Sequence, residues 1–366
     1  MQTLMTSELL ERAVAGGRLS FDEGMRLYQE ADSAELLATA DAVRRRKHPD
    51  GVVTYLVDRN INYTNICIID CGFCAFYRKP VSPEAYLLTH EEIGQKVEEL
   101  VAWGGTRVLL QGGVNPYLKL DYYTGLLRYL KQRFPQVQLD AFSPVEVHNI
   151  ARIEKRPLAE ILHDLHEAGM DGLPGGGAEI LDNRTRNRIA PHKGTWESWI
   201  EAERLAQREG MTTSATMVFG FGEETEERVL TLTRLRDLQD ESLAHNGNGF
   251  TSFICWSYQP DNTAMGGEHT PGDEYLRMVA FSRLMLDNFE NVSASWPSQG
   301  PELAGRALHS GANDFGSTMM EENVVSAAGA DVGTCMTVEQ IQAQIRAEGF
   351  RPAKRDSDYH ILEMFD

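Results

Sequence analysis

The sequence predicts an α/β protein built on a (β/α)8 barrel of the TIM type, with a helical extension before the barrel and a helix and tail after it. Short apolar runs of β-forming residues alternate with amphipathic helical stretches along most of the 366 residues. Such alternation is typical of βα units around a parallel sheet, and eight units close a barrel. Polar and glycine residues gather where each strand run meets its helix, as expected of loops at a barrel mouth.

Residues 1–49 predict a helical lead-in. The first helical run, SELLERAVAG, ends at Gly16-Gly17. Ser20 is placed to cap FDEGMRLYQE, and Ser33 is placed to cap AELLATADAVRRRKH, because serine is a preferred N-cap residue.

Residues 50–335 contain the predicted barrel. The run VVTYLV is an extra strand in this assignment, and the eight barrel strands are INYTNICI, RVLLQG, VQLDAFS, GMDGLPG, TTSATMVFG, FTSFICW, NVSASW and the weaker ALHSGA. Residues 336–366 predict a final helix, TVEQIQAQIRAEGF, and a tail, RPAKRDSDYHIL, that pack on the outside of the barrel.

Composition excludes several classes of protein. Apolar residues make up 42% and charged residues 24%, the balance of a globular protein. The formal net charge of -19 opposes binding to a polyanion, so no nucleic-acid partner is expected. No apolar run reaches the roughly 18 residues of a membrane helix, and no signal peptide is apparent, which predicts a cytoplasmic protein with no membrane partner. Five cysteines, an odd number, indicate reduced thiols.

Three cysteines stand close together in NYTNICIIDCGFCAFYR, at the spacing Cys67-x3-Cys71-x2-Cys74. Three thiolates on one loop suit an iron–sulfur cubane in which one iron has no protein ligand. A structural zinc site is an alternative, with a fourth ligand from His48, His90 or Cys255. A purely electron-carrying cluster is another alternative.

The cysteine spacing directly after the first barrel strand resembles the radical S-adenosylmethionine superfamily. The resemblance extends to Phe73, to Gln111-Gly112-Gly113 in place of a Gly-Gly-Glu motif, and to GFGEETEE after the fifth strand. It implies a [4Fe-4S] cluster on Cys67, Cys71 and Cys74, whose free iron chelates S-adenosylmethionine. It also implies flavodoxin or ferredoxin as the electron donor.

The cofactor-binding candidates lie on the loops that follow predicted strands. They are Phe73, Phe76, Gln111, Gly112, Gly113, Ser143, Glu146, Glu179, Gly220 and Glu223. Glu179 follows three glycines, which let a ligand approach the backbone closely.

Four longer segments narrow the resemblance to the branch that handles futalosine and deazaflavin precursors. They are DRNINYTNICIIDCGFCAFYR, GGTRVLLQGGVNP, PGGGAEIL and GANDFGSTMMEENVVSAAG. Within this branch the chain resembles the dehypoxanthine futalosine cyclases of menaquinone biosynthesis. The aminofutalosine synthases, which tend to carry proline where this chain has Tyr63, and the deazaflavin synthase subunits are the alternatives.

The implied reaction abstracts hydrogen from ribose C4′ and joins C4′ to a benzoate ring. A nucleoside-like aryl substrate needs flat apolar walls with a few polar groups. The substrate-binding candidates are Asn62, Tyr63, Tyr258, Gln259, Asn262, Trp296, Gln299 and Asn313. Regaining aromaticity releases one proton, and the candidate bases are Glu179, Asp314, Glu321 and Glu322.

Overall fold

The computed structural model describes residues 5–365 and contains one mixed sheet surrounded by helices. The strands are β1 (Val52–Leu56), β2 (Asp58–Ile61), β3 (Arg107–Leu110), β4 (Gln138–Ala141), β5 (Gly172–Leu173), β6 (Thr212–Phe219), β7 (Phe250–Ser257), β8 (Asn291–Ser293), β9 (Asp314–Ser317), β10 (Arg351–Arg355) and β11 (Ile361–Met364). Within residues 5–365, no helix is long and apolar enough to cross a membrane.

The helices fill the connections between strands and add a layer before the sheet. They are α1 (Thr6–Val14), α2 (Phe21–Glu30), α3 (Ser33–Lys47), α4 (His90–Ala102), α5 (Leu120–Arg133), α6 (Pro144–Glu154), α7 (Leu158–Glu167), α8 (Asn183–Ile189), α9 (Trp196–Arg208), α10 (Thr225–Asn246), α11 (Gly272–Met285), α12 (Trp296–Gln299), α13 (Pro301–Ala307), α14 (Val324–Ala327) and α15 (Val338–Ala347).

The predicted barrel fold is confirmed. Strands β2 to β9 follow one another in the sheet as parallel neighbours. The ring is completed because β1 and β2 are consecutive parts of one extended segment. β1 pairs with β9, and Arg59 of β2 forms a parallel bridge with Met320, just beyond β9. The carboxyl ends of eight strands therefore meet at one mouth.

Two predicted strands are wrong. The first barrel strand ends at Ile61, and most of INYTNICI is a loop that makes only isolated bridges. ALHSGA forms the end of α13 and a turn at Gly311, whose φ is 107°, and the eighth strand begins at Asp314. Asn313 and Asp314 therefore lie at the end of the barrel opposite the mouth, where they cannot contact a ligand held by the mouth loops.

The lead-in helices pack on the outer helices of the barrel, with α3 against α11 and α2 against α10. Ser20 caps α2 as predicted and forms a capping box with Glu23. The cap of α3 is Asp32 rather than Ser33, because the Asp32 carboxylate accepts hydrogen bonds from the N–H groups of Ala34 and Glu35. Residues 1–4 of the lead-in and residue 366 of the tail lie outside the described residues.

The tail extends the sheet rather than only covering its outer surface. β10 pairs in parallel with β1, and β11 pairs antiparallel with β10. The Arg355 guanidinium at the end of β10 donates to both carboxylate oxygens of Asp314, at 2.6 and 3.1 Å. Both side chains are buried, so the ion pair joins the tail to the base of the barrel.

We expect Arg355→Met to lower the free energy of unfolding by about 3–5 kcal/mol, because it leaves the Asp314 carboxylate buried without its counter-ion. Chemical denaturation measures this change. Arg351→Met is the matched control, since Arg351 is exposed on the same strand, and it should change the free energy by less than about 0.5 kcal/mol. Equal denaturation midpoints for the two variants would contradict a stabilising role of the buried Arg355–Asp314 pair.

Candidate active site

The three clustered cysteines lie on a loop that the barrel mouth holds at several points. The N–H of Cys67 donates to Arg78 O at 3.0 Å, and the N–H of Ile68 donates to Val114 O, beyond β3, at 3.1 Å. Gly72 N–H donates to Ile189 O at 2.9 Å, and Gly72 O accepts from Met265 N–H at 2.9 Å. The loop conformation is thus fixed by contacts from distant parts of the chain.

The thiols of Cys67, Cys71 and Cys74 interact electrostatically with one another. Burial raises the pKa of Cys67, and it raises the pKa of Cys71 to about 12, so both are protonated when free. Among residues 5–365, no three potential ligands are arranged to hold a single metal ion. In a cubane each cysteine binds a different iron, so three separated thiols on one loop fit that group, and ligation would release their protons.

Gly112 and Gly113 bring the end of β3 against this loop. A Cβ atom on Gly113 would lie 2.3 Å from Ile66 O and 3.0 Å from Cys67 Cβ, and one on Gly112 would lie 2.7 Å from the Tyr63 ring. Gly113 N–H also donates to Thr64 O at 2.8 Å. Gly113 therefore allows a close approach of two backbones, and Gly112 makes room for the Tyr63 ring.

Gln111 joins the neighbouring strand ends. Its side-chain Nε2 donates to Phe142 O at 3.0 Å, and its backbone carbonyl oxygen accepts from Asn62 Nδ2 at 3.2 Å. Gln111 lines the barrel interior. Asn62 lies at the mouth but lines an open groove beside the barrel together with Phe76.

Glu146 links Tyr63, Ser143 and Gly112 through its carboxylate. Its buried carboxylate accepts from Tyr63 Oη at 2.6 Å, Ser143 Oγ at 2.7 Å and Gly112 N–H at 3.1 Å. Burial raises its pKa to about 7. Ser143 is the N-cap of α6. Glu146, a predicted cofactor contact, thus positions Gly112, and Ser143, the other one, donates to Glu146.

Tyr63, a predicted substrate contact, does not line the barrel interior. It is 0% exposed, and its ring packs against Phe142, Tyr122 and Tyr123. Its hydroxyl donates to Glu146, whose carboxylate also accepts from Gly112 N–H.

Glu179 lies beside the cysteine loop with its backbone in the left-handed region, at a φ of 43°. Its Oε1 accepts from Lys193 Nζ at 2.6 Å, and its buried Oε2 accepts no hydrogen bond among the described residues. Lys193 Nζ stands 4.9 Å from the centre of the Phe73 ring, and both Glu179 and Lys193 interact electrostatically with Cys71. Arg186 Nη1 stands 3.9 Å from Oε2, an ion-pair contact beyond hydrogen-bond distance. A buried acceptor next to the thiols that accepts no hydrogen bond fits a ligand that donates one.

The loop after β6 packs on Phe73 from the other side. The Phe221 ring lies 5.3 Å from Phe73 and 4.9 Å from Tyr258, between ring centres. Gly220 has a φ of 97°. Glu223 accepts from the N–H groups of Gly220 and Phe221 and pairs with Arg228 at 2.6 Å. Its carboxylate is used in shaping this loop.

Inside the barrel, below the mouth, a cavity of about 170 Å³ forms a lumen. Trp256 and Trp296 give it flat walls, and serine and threonine hydroxyls line much of the rest. Trp296 is fully buried by the barrel, and its indole Nε1 donates to Ser317 O at 2.7 Å. The lumen has the apolar walls and sparse polar groups of a small-molecule site.

The other predicted substrate residues do not line this lumen. Gln259 donates to Ser298 O at 3.0 Å, and Gln299 donates to Ser257 Oγ at 2.7 Å. Tyr258 donates to Gly266 O at 3.1 Å, and Asn262, which is exposed, donates to Ala327 O at 3.3 Å. These four side chains order the loops after β7 and β8.

Three of the four predicted bases are also engaged elsewhere. Asp314 is paired with Arg355, and Asn313 beside it accepts from Arg283 at 2.6 Å. Glu321 pairs with Arg59 and Lys96 on the outer side of β2. Glu322 accepts from three N–H groups at the start of α14. None of the three carboxylates lines the lumen.

The sequence interpretation missed Lys193 and three charged residues of the lumen, Asp140, Arg107 and Arg355. Lys193 lies in a turn after α8, 14 residues beyond its partner Glu179. Asp140 lies on β4 and lines the lumen. Its place in the alternation of VQLDAFS, with its side chain inward, was the signal that could have identified it.

A barrel with a three-cysteine loop after its first strand defines a radical S-adenosylmethionine protein, and the model of the radical SAM superfamily matches residues 61–235. The model of the CofH/MqnC C-terminal region matches residues 247–366. The chain belongs to the radical SAM family that includes the cyclic dehypoxanthine futalosine synthases and aminodeoxyfutalosine synthases.

Two relatives illustrate this membership. Cyclic dehypoxanthine futalosine synthase of Halalkalibacterium halodurans is 47% identical over 98% of this chain and 95% of its own length. Aminodeoxyfutalosine synthase of Thermus thermophilus is 38% identical over 98% of this chain and 96% of its own length. The crystal structure of methylornithine synthase shares the fold, with a TM-score of 0.73 and 19% identity over 94% of this chain and 97% of that one.

We expect Glu179→Gln to weaken S-adenosylmethionine binding roughly ten- to a hundredfold, because it removes the charge from one hydrogen-bond acceptor and leaves Lys193 unpaired. Equilibrium dialysis against the iron-loaded protein measures the dissociation constant. Glu197→Gln, at an exposed position on α9, should leave it unchanged. Equal affinities for the wild type and Glu179→Gln would refute a contact to the cofactor.

Proposed function

We propose that this chain cyclises dehypoxanthine futalosine by joining ribose C4′ to the benzoate ring, in the futalosine route to menaquinone. The observation that carries the proposal is the 47% identity, along almost its entire length, to the cyclic dehypoxanthine futalosine synthase of Halalkalibacterium halodurans. The lumen is consistent with it, because tryptophan walls and hydroxyl groups suit a substrate with an aryl ring and a sugar.

The cofactors of the proposed reaction are a [4Fe-4S] cluster and S-adenosylmethionine. Cys67, Cys71 and Cys74 would hold the cluster. The proposed contacts to S-adenosylmethionine are Gln111, Gly112, Gly113, Phe73 and Glu179. When bound and reduced, the pair supplies a 5′-deoxyadenosyl radical. All five cysteines are free, as suits the reducing cytoplasm, and flavodoxin or ferredoxin is the proposed electron donor.

The protein's own part in this chemistry is to hold two carbons of one substrate together. The lumen lies inside the strands that carry the cysteine loop and the Gln111–Gly113 strand end. A substrate in the lumen would present its sugar toward the mouth and keep its aryl ring between Trp256 and Trp296. Enforced proximity of C4′ and the ring carbon raises the rate of an intramolecular addition, and the enclosed walls exclude water.

Substrate labelled with deuterium at C4′ tests the proposed reaction. The label should appear in 5′-deoxyadenosine, and label at other ribose carbons should stay in the cyclised product. Mass spectrometry of both products measures the transfer. If no deuterium leaves C4′, the cyclase proposal fails.

Aminodeoxyfutalosine synthase activity is the second candidate, favoured by the 38% identity to the Thermus thermophilus protein. The two activities require different substrates. Incubating the reduced protein with each substrate and identifying the product by mass separates them.

A further inference from the structure

The proposed cyclisation requires a base that the sequence could not identify. Joining C4′ to the ring removes a second hydrogen, which leaves the ring carbon as a proton. The base must therefore reach a ring enclosed in the lumen. Asp314, Glu321 and Glu322 do not line it, and Glu179 is paired with Lys193 beside the cysteines.

Among the described residues that line the lumen, one carries a carboxylate, and it is Asp140 on β4. Three other ionisable side chains line it. Arg107 and Arg355 are permanently charged cations. Burial raises the pKa of Tyr359, which keeps its hydroxyl protonated. The remaining polar groups are neutral hydroxyls and the Gln111 amide.

Asp140 is placed to accept a proton rather than to serve as a fixed counter-ion. It is 5% exposed, and its Oδ1 accepts no hydrogen bond among the described residues. Its Oδ2 lies 3.4 Å from Arg107 Nη1, a long contact, whereas Arg107 makes its close ion pair with Asp58. The carboxylate thus makes no close hydrogen bond, and its polar neighbours are Arg107 and the Ser357 hydroxyl.

The surroundings of Asp140 bring its pKa near neutrality. Burial raises the pKa to about 6, Arg107 and the Ser357 hydroxyl lower it, and Asp171 and Asp358 raise it. A base with a pKa near the working pH is suited to proton transfer. Asp171 lies on the outer side, where its carboxylate pairs with Lys131 at 2.6 Å.

We propose that Asp140 is the catalytic base that removes the ring proton after C4′ has added to the benzoate ring. The inference rests on the proposed function. The C4′ radical forms a C–C bond with the ring carbon, and the C–H bond on that carbon then breaks. The proton passes to the Asp140 carboxylate, and the electron pair stays in the ring. The ring gives one electron to a one-electron acceptor of the iron–sulfur class and regains aromaticity.

The test compares Asp140→Asn with Asp171→Asn in iron-loaded protein given the C4′-deuterated substrate. Asp140→Asn should still transfer deuterium to 5′-deoxyadenosine, but it should form cyclised product at least about a hundredfold more slowly, the usual contribution of a general base. Asp171→Asn should match the wild type in both above pH 7, and its product profile should shift only toward lower pH, because Asp171 raises the pKa of Asp140. Iron content and calorimetric substrate affinity should be the same in all three proteins.

Asp140→Glu and the pH profile give an independent measurement. The base acts when deprotonated, so cyclised product per 5′-deoxyadenosine should rise with pH through about 6 in the wild type. The Glu variant should recover part of the product and keep a rising profile, which a purely structural carboxylate would not do.

Two results would overturn the proposal. One is wild-type product formation by Asp140→Asn. The other is a product ratio that is independent of pH between about 5 and 8 in the wild type, which decides the matter even if the Asn variant does not fold. Both leave the proposed function intact, because the wild type would still cyclise its substrate. Absence of cyclised product from the wild type itself would instead refute the proposed function.

Discussion

Replacing Cys71 by Ala is expected to remove the bound iron and abolish the release of 5′-deoxyadenosine, while the barrel stays folded. Two thiolates cannot hold a cubane as three do. Cys71 lies on a loop outside the strands, so the loss of one small side chain leaves the sheet intact. Iron and sulfide analysis of anaerobically reconstituted protein measures the first effect, and circular dichroism measures the second.

Cys335→Ala is the matched control, because Cys335 is a free cysteine away from the cluster loop. It should keep wild-type iron. About four irons and four sulfides per wild-type chain would support the cluster, whereas one zinc without sulfide would support the structural zinc alternative. Wild-type iron in Cys71→Ala would contradict the assignment of the ligands.

Gly113→Ala is expected to lower iron loading severalfold or more, although it changes no ligand. The new Cβ would stand 2.3 Å from Ile66 O and 2.7 Å from the Ile66 carbonyl carbon. Both atoms belong to the backbone of the cysteine loop, so the loop must shift to avoid them. Iron content after reconstitution and the thermal midpoint of the apo-protein measure the effect.

Gly125→Ala on α5 is the control for adding a methyl group. A Cβ there would meet one neighbour, the His90 ring, at 3.7 Å. Alanine also favours a helix over glycine by about 1 kcal/mol, so this variant should keep its iron and gain stability. If both alanine variants load iron equally, the close approach of β3 to the loop has no part in assembly.

The barrel could be predicted because the alternation of strand and helix patterns is repeated along the chain. The first and the eighth strands were misplaced because their residues lack the apolar, β-branched pattern of a strand. The residues of β2, DRNI, include three polar ones, yet all four are buried. Two of them tolerate burial because partners from distant segments satisfy them, as Arg107 does for Asp58 and Glu321 for Arg59. The third is Asn60, whose Oδ1 accepts no hydrogen bond among the described residues. β9, DFGS, lacks the β-branched residues that mark a strand, and its pairing with β1 keeps it in the sheet.

The candidate site likewise has a part that the sequence predicts and a part that it does not. The three cysteines lie within eight residues, so their spacing alone predicts a shared group. The contact between Glu179 and Lys193 depends on how the chain folds, whereas strand alternation could have indicated the inward position of Asp140. The segment VQLDAFS alone does not show that Asp140 carries the one carboxylate among the described lumen residues. That requires knowing which residues of the other strands face inward.

The way in which the ring of strands closes affects which mutations the protein tolerates. Where the segment after β9 meets β2, several of the hydrogen bonds that join the two involve side chains. Thr318 Oγ1 donates to Asp58 O and accepts from Asp58 N–H, and Asp58 Oδ1 accepts from Met319 N–H. Backbone ladders elsewhere accept almost any residue. At this junction the hydrogen bonds require particular side chains. Substitutions at positions 58 and 318 should therefore be tolerated less often than substitutions along the other strands.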